Sequence, residues 1–255
     1  MLNHIRRGNG SPLLLVHGLG GSRRSWDPVR PALAAQRELL SFDLPGHGET
    51  PAEADSGTFQ GLMRSLEALL DEHKLAGIDM VGTSMGARMV LEAACRGRAG
   101  ATVALDPGGF WQGWERPFFR TTLLASLGLL KMLRPTLPAL GHNAAGRTAL
   151  LAQLSARPWA LDGDLVQREL QGLVSTGTFA ALVRDLAKGP MQQGSSAERI
   201  TIGWGRHDHL CLPRQAKRAI AAFPNAALHW FERSGHFPMW DEPAETARLI
   251  LAATA

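Results

Sequence analysis

Short, nearly continuous apolar runs alternate with segments of helical spacing, and this alternation leaves few folds open to the chain. The runs Leu13 to Val16, Leu39 to Phe42, Ile78 to Val81 and Ala101 to Leu105 are each bounded by turn residues. Such runs suit strands buried on both faces. Between them, Leu62, Leu66, Leu69 and Leu70 repeat at helical spacing, as do Met89, Val90 and Ala93 after a Gly-rich turn. Strand and helix in alternation imply a mostly parallel sheet flanked by helices, an α/β fold. The pattern returns near the C-terminus, where Ile200 to Trp204 and Ala227 to Phe231 read as two more strands. Each is followed by a helix, one opened by Pro213 and the last by Pro243, with Leu249, Ile250 and Ala253 on one face.

From about Gly108 to Ser196 the alternation stops. Three apolar stripes mark amphipathic helices there: Leu123, Leu127 and Leu130; Val166, Leu170, Leu173 and Val174; and Phe179, Leu182, Val183 and Leu186. An all-helical insertion of this length is too long for an ordinary connection and reads as a lid. The domain division is therefore a core of 1–107 and 197–255 with a helical lid at 108–196. The aromatic stretch Phe110, Trp111, Trp114, Phe118 and Phe119 either faces a ligand cavity or docks the insertion onto the sheet.

Gly82-Thr83-Ser84-Met85-Gly86 joins one predicted strand directly to a predicted helix. That context lets a G-x-S-x-G sequence form a nucleophile elbow, with the serine hydroxyl raised above the carboxyl edge of the sheet. The Met85 N–H, at the helix start, points toward developing negative charge. The second Gly-rich turn, His17-Gly18-Leu19-Gly20-Gly21, follows the first strong strand; Gly18 backbone there can approach a substrate, and the Leu19 N–H is the second candidate oxyanion donor. His17 reads as structural.

A serine hydroxyl needs a histidine to take its proton and a carboxylate to hold that histidine's tautomer. His236, in Ser234-Gly235-His236-Phe237-Pro238, follows the last predicted strand; Asp208 stands in the same relation to the strand before it. Ser84, Asp208 and His236 each follow a predicted strand, which brings all three to the carboxyl edge of the sheet. Asp106, at the end of the fourth run, is the competing acid. His207-Asp208-His209 invites a metal reading, but adjacent residues cannot all turn to one ion and no second cluster completes a site, so no metal is expected. Trp111, Phe237 and Trp240 suggest an apolar cavity, with Trp240 equally suited to packing beneath the last helix.

The net charge of +4 is spread over scattered arginines without a basic run, which argues against nucleic-acid binding. Cys95 and Cys211 have neither disulfide-framework nor metal spacing, and MLNHIRRGNG lacks the apolar segment of a signal peptide. The longest leucine-rich stretch, Leu123 to Leu130, is far short of the ~20 residues that span a bilayer. The expectation is a cytoplasmic protein, monomeric or homodimeric, acting on a small molecule without a cofactor or membrane insertion.

The segments LLLVHGLGGS at 13–22, DLPGHGET at 43–50, VGTSMGAR at 81–88, GWGRHDHLCLP at 203–213 and SGHFPMWDEP at 234–243 jointly resemble the α/β-hydrolase fold family, in its lidded branch of esterases and C–C hydrolases. The resemblance covers nearly all of the chain outside the insertion. It implies Ser84 as nucleophile, Asp208 as acid, His236 as base, and the Leu19 and Met85 amides as oxyanion hole. It also implies an architectural role for Asp43 to Gly48, so His47 stays outside the site. Serine at the elbow argues against haloalkane dehalogenases, which carry aspartate there. The short region before Leu13 implies that the first strands are reduced or absent. The resulting expectation is an esterase using an acyl-serine on a small, apolar substrate. Cleavage of C–C bonds in vinylogous diketones, use of peroxide as nucleophile, a ligand receptor with a slow or silent triad, and a noncatalytic scaffold are the alternatives.

Overall fold

The computed structural model describes residues 4–255. Seven strands form one sheet: β1 (His4–Arg7), β2 (Pro12–Val16), β3 (Glu38–Phe42), β4 (Ile78–Thr83), β5 (Ala99–Leu105), β6 (Ile200–Gly205) and β7 (Ala227–Phe231). Their spatial order is β1-β3-β2-β4-β5-β6-β7, and all pairings are parallel except β1 with β3. The amino-terminal region thus keeps one four-residue antiparallel strand, pairing His4 with Phe42 through Arg7 with Leu39. Its exposed arginines blunt the sheet edge against further pairing.

The helices in chain order are α1 (Arg30–Ala34), α2 (Phe59–Glu72), α3 (Met85–Cys95), α4 (Glu115–Met132), α5 (Leu137–His142), α6 (Ala144–Leu151), α7 (Gly163–Ser175), α8 (Phe179–Lys188), α9 (Gln215–Ala222), α10 (Pro238–Asp241) and α11 (Pro243–Ala253). The pleat of β2 divides the core: Leu14 and Val16 pack with residues of α2, α3 and α9, whereas Leu13 and Leu15 pack with Val29, Leu33 and Ile250 on the other face. All four of these leucine and valine side chains are fully buried. Each contributes about 2 kcal/mol of apolar transfer free energy.

Helices α4 to α8 lie between β5 and β6 in the sequence, as the expected all-helical insertion. Besides the three helices legible from their stripes, two short ones occur, α5 with Pro138 in its first turn and α6 capped by Asn143, whose Oδ1 accepts from Ala145 N and Gly146 N. The helix expected to open at Pro213 begins two residues later, with Pro213 in the preceding turn. Among the described residues no single helix is long and apolar enough to cross a membrane; only α4 taken with Arg134–His142, bent by 72°, passes as a pair.

Parallel strands leave β2 in opposite lateral directions, to β3 on one side and β4 on the other. A crevice opens at the carboxyl ends of strands where the order reverses in this way. The loops after β2 and β4 both end there.

Candidate active site

Ser84 sits between β4 and α3 at φ 55°, ψ −116°, a left-handed conformation that side chains other than glycine rarely adopt. The turn is kept tight by its glycines. A Cβ on Gly82 would lie 2.2 Å from the Gly86 carbonyl oxygen, and one on Gly86 would lie 2.3 Å from that of Val16. Ser84 N–H donates to Leu105 O at 2.9 Å, tying the elbow to the neighbouring strand end.

The loops after β6 and β7 bring the partners together. A Cβ on Gly205 would overlap the Gly235 carbonyl at 2.0 Å, and His207 N–H donates to Ser234 O at 2.9 Å. His236, fully buried, lies with Nε2 2.8 Å from Ser84 Oγ and Nδ1 2.8 Å from Asp208 Oδ2. The other Asp208 oxygen accepts from Leu210 N and Cys211 N at 2.8 and 2.9 Å. An acceptor fixed on Nδ1 sets the tautomer that leaves Nε2 free to take the Ser84 proton.

Asp106 is not in this chain of contacts. It ends β5 at φ 46°, and its Oδ1 accepts from Gly205 N at 2.8 Å. Burial, and then the adjacent Asp208 charge, push its carboxyl well above the ordinary range. Of the remaining titratable groups, Cys211 Sγ lies with Asp208 and His236 ligand atoms within 4.8 Å of one another. Burial pushes that thiol upward, and a metal there would have to displace the His236–Asp208 hydrogen bond.

His17 has a structural place, as its position at a strand end suggested. Its Nε2 accepts from Leu44 N at 3.0 Å, which leaves Nδ1–H to donate to Gly18 O at 2.7 Å. Gly21 N donates to the same carbonyl at 3.1 Å. In a trans peptide the N–H points opposite the C=O, so these bonds turn the Leu19 amide away from His17. Neither Leu19 N nor Met85 N donates to a protein acceptor among the described residues. Gly18 backs Ser84 closely, since a Cβ there would lie 3.2 Å from Ser84 Cβ. Burial lowers the His17 pKa to about 4 and that of His47, whose ring lies tilted 5.2 Å from it, to about 3. Asp43, in the same loop as His47, accepts from Arg23 N, Glu49 N and the Arg23 guanidinium, which makes this stretch architectural.

A cavity above Ser84 is lined by Gly18, Leu19, Met85, Trp111, Phe237 and Trp240 and by apolar residues of α4, α6, α7 and α8. The aromatic stretch divides its labour. Trp111 stacks on Phe119 at 4.3 Å and both line the cavity, whereas Phe110 packs edge-on against Trp204 and Phe223 beneath the insertion. Trp114 is exposed under the Arg214 guanidinium, with Phe118 against it. Trp240 lines the cavity, stacks on Phe237 at 4.1 Å and lies within the core cluster that includes Ile250 of α11.

Asp241 is the residue that sequence reasoning missed. Buried in α10, its carboxylate accepts from Gly235 N (2.8 Å), Ala156 N (2.9 Å) and Ser155 Oγ (2.5 Å). It thereby fastens the His236 loop to the segment that follows α6, and His236 N adds a 2.9 Å bond to Leu154 O. Ser155 and Ala156 lie 86 and 85 residues away in sequence, so no local pattern announced the link.

The profile of the Alpha/beta hydrolase family matches residues 13–249. Among curated proteins, the chain is 29% identical to the 2-succinyl-6-hydroxy-2,4-cyclohexadiene-1-carboxylate synthase of Escherichia coli, over 96% of this chain and 95% of that one. It is 26% identical to the 2-hydroxy-6-oxononadienedioate/2-hydroxy-6-oxononatrienedioate hydrolase of Cupriavidus pinatubonensis, over 94% and 85%. Among solved structures, an esterase from Exiguobacterium antarcticum superposes with a TM-score of 0.80 at 16% identity, covering 99% of this chain and 95% of that one.

Proposed function

The chain belongs to the alpha/beta hydrolase family, and from that premise we propose that it is a serine hydrolase cleaving an ester-like bond of a small substrate through an acyl-serine intermediate. The observation that carries this reading is the unbroken relay from Ser84 Oγ through His236 to Asp208, 2.8 Å at each step, opening into a cavity. His236 Nε2 accepts the Ser84 proton as Oγ attacks the carbonyl, and Asp208 stabilises the imidazolium that forms. The Met85 and Leu19 amides take the oxyanion, in a setting where each such donor is worth about 3 kcal/mol. His236 then returns the proton to the leaving group and activates the water that releases the acyl chain. Helices α4 to α8 act as a lid over this step, supplying apolar walls that exclude bulk water.

Covalent labelling of Ser84 by a fluorophosphonate, followed by turnover on short activated esters, tests the reading. Ser84→Ala is expected to lose both labelling and at least a thousandfold in turnover; retention of full turnover by that variant overturns it. Labelling without turnover indicates a receptor. The Cupriavidus relative, a hydrolase of a 2-hydroxy-6-oxo dienedioate by its name, favours a second reading in which the same triad cleaves a C–C bond. Labelling with turnover of a vinylogous diketone, and none of esters, selects that reading.

A further inference from the structure

Arg88 stands one helical turn after Ser84 on α3 and lines the same cavity, yet it is 95% buried. Its Nη2 donates to Pro190 O at 3.0 Å. Its Nε and Nη1 have no hydrogen-bond partner, and Arg88 forms no ion pair among the described residues. The carboxylates of Glu92 and Asp185 act on it only through space. The guanidinium instead lies over the Phe59 ring, 4.8 Å from its centre.

Buried cations left this way are costly, because an unmet donor has given up its hydration for nothing, and more so when it is charged. A second unmet donor stands on the same wall. Trp111 Nε1 is buried without a partner and also lines the cavity. The Gly108–Gly109 turn touches both side chains, since a Cβ on Gly108 would lie 3.3 Å from the Trp111 ring and one on Gly109 3.3 Å from Arg88 Nε. Two residues of the cavity wall near Ser84 therefore carry buried donors without acceptors, in a lining that is otherwise largely apolar.

We propose that Arg88, with Trp111 Nε1 beside it, is a carboxylate-binding subsite, so that the acyl part of the substrate is a short chain ending in a carboxylate. This rests on the serine-hydrolase reading for its catalytic consequence, though not for binding. The planar guanidinium fork matches a carboxylate bidentately. Engaging a ligand requires the guanidinium to leave Pro190 O and turn toward the cavity. Arg88 lies about one helical turn beyond Ser84, so the carboxylate-terminated acyl chain is short, and succinyl and glutaryl are the chains to try.

Two measurements on the full chain test it. The first is the ratio of kcat/KM for 4-nitrophenyl hemisuccinate and hemiglutarate to that for 4-nitrophenyl butyrate, net of spontaneous hydrolysis, in the parent, Arg88→Met and Arg88→Lys. The anionic-to-neutral ratio is expected to fall at least tenfold in Arg88→Met, with partial recovery in Arg88→Lys. An unchanged ratio overturns the proposal and leaves Arg88 as a structural clamp on Pro190. The second is calorimetric titration with glutarate, which reads the subsite without any chemistry. Binding by the parent, weakened at least tenfold in Arg88→Met, supports the subsite even in a protein that hydrolyses no ester; no binding by the parent overturns it. Ester turnover with no preference for the carboxylate and no glutarate binding sinks the subsite alone, whereas absent Ser84 labelling sinks the hydrolase reading alone.

Discussion

The ends of β5 and β6 are adjacent, parallel and equally buried, and each carries an aspartate, yet the two carboxyl groups have opposite circumstances. Asp208 accepts two backbone N–H bonds and the His236 ring, a set of donors that suits a carboxylate anion. Asp106 accepts one backbone N–H, has an unpartnered Oδ2, and is driven toward its neutral form by burial and by Asp208 itself. Burial and the neighbouring carboxylate oppose ionisation of Asp106, and its single backbone donor does not offset them. The lesson is that position at a sheet edge nominates an acid, while the loop beyond it selects one: Leu210 and Cys211 supply the amides after β6, and no equivalent turn follows β5.

Asp208→Asn is the sharpest way to break this comparison. It keeps the shape but loses the acceptor for His236 Nδ1–H, and kcat on an ester substrate is expected to fall by ~10⁴. Asp106→Asn is expected to cost less than tenfold in the same assay. A reversed ranking would exchange the two roles.

A third buried carboxylate, Asp241, sharpens the contrast from the other side. Asp241→Ala removes Oδ2, the shared acceptor of the Gly235 and Ala156 amides, together with Oδ1, the acceptor of the Ser155 hydroxyl, and is expected to destabilise the fold by roughly 2–4 kcal/mol. Denaturant unfolding measures this, and kcat should drop with KM nearly constant because the His236 loop loosens. Unchanged stability would mean that the two bonds from His236 and His207 hold the loop unaided.

Smaller effects come from groups buried in a single protonation state. His17 and His47 have folded pKa values of about 4 and 3 against an ordinary 6.5. Their contribution is complete above pH 6.5 and is lost as the pH falls from there toward 3–4, because the unfolded chain takes up protons that the folded one refuses. Glu169, whose carboxyl burial raises to about 7, has the opposite sign. Its contribution is complete below about 4.5 and is lost as the pH rises through 7. Glu169→Gln, which can retain the acceptor for the Ser25 hydroxyl, is therefore expected to flatten the alkaline limb of the unfolding midpoint against pH and to leave the acid limb in place. An alkaline limb unchanged by Glu169→Gln would assign that limb to another group.

How much of this was legible in the sequence follows from the range of the interactions. Strands β2 to β6 announced themselves because burial on both faces demands apolar runs, the half-buried edge strand β7 because its run is still mostly apolar, and Ser84, Asp208 and His236 because each follows such a run. The four-residue β1 pairs through exposed residues and leaves little pattern. Helices α5 and α6 are shorter than the two or three turns an apolar stripe needs to show its period. Within Phe110 to Phe119 every ring is apolar, so composition could not separate Trp111, which lines the cavity, from Phe110, which docks the insertion. Arg88 read as one scattered charge among many, and only the packing of Gly109, Gly189 and Phe59 around it marks it out.

The bonds from His236 N to Leu154 O, and from the Asp241 carboxylate to Ser155 and Ala156, make the proton acceptor's own loop part of the cavity's far wall. Moving 154–156 outward would cost the hydrogen bonds that seat the His236 loop, so this stretch is anchored to the loop that carries the imidazole.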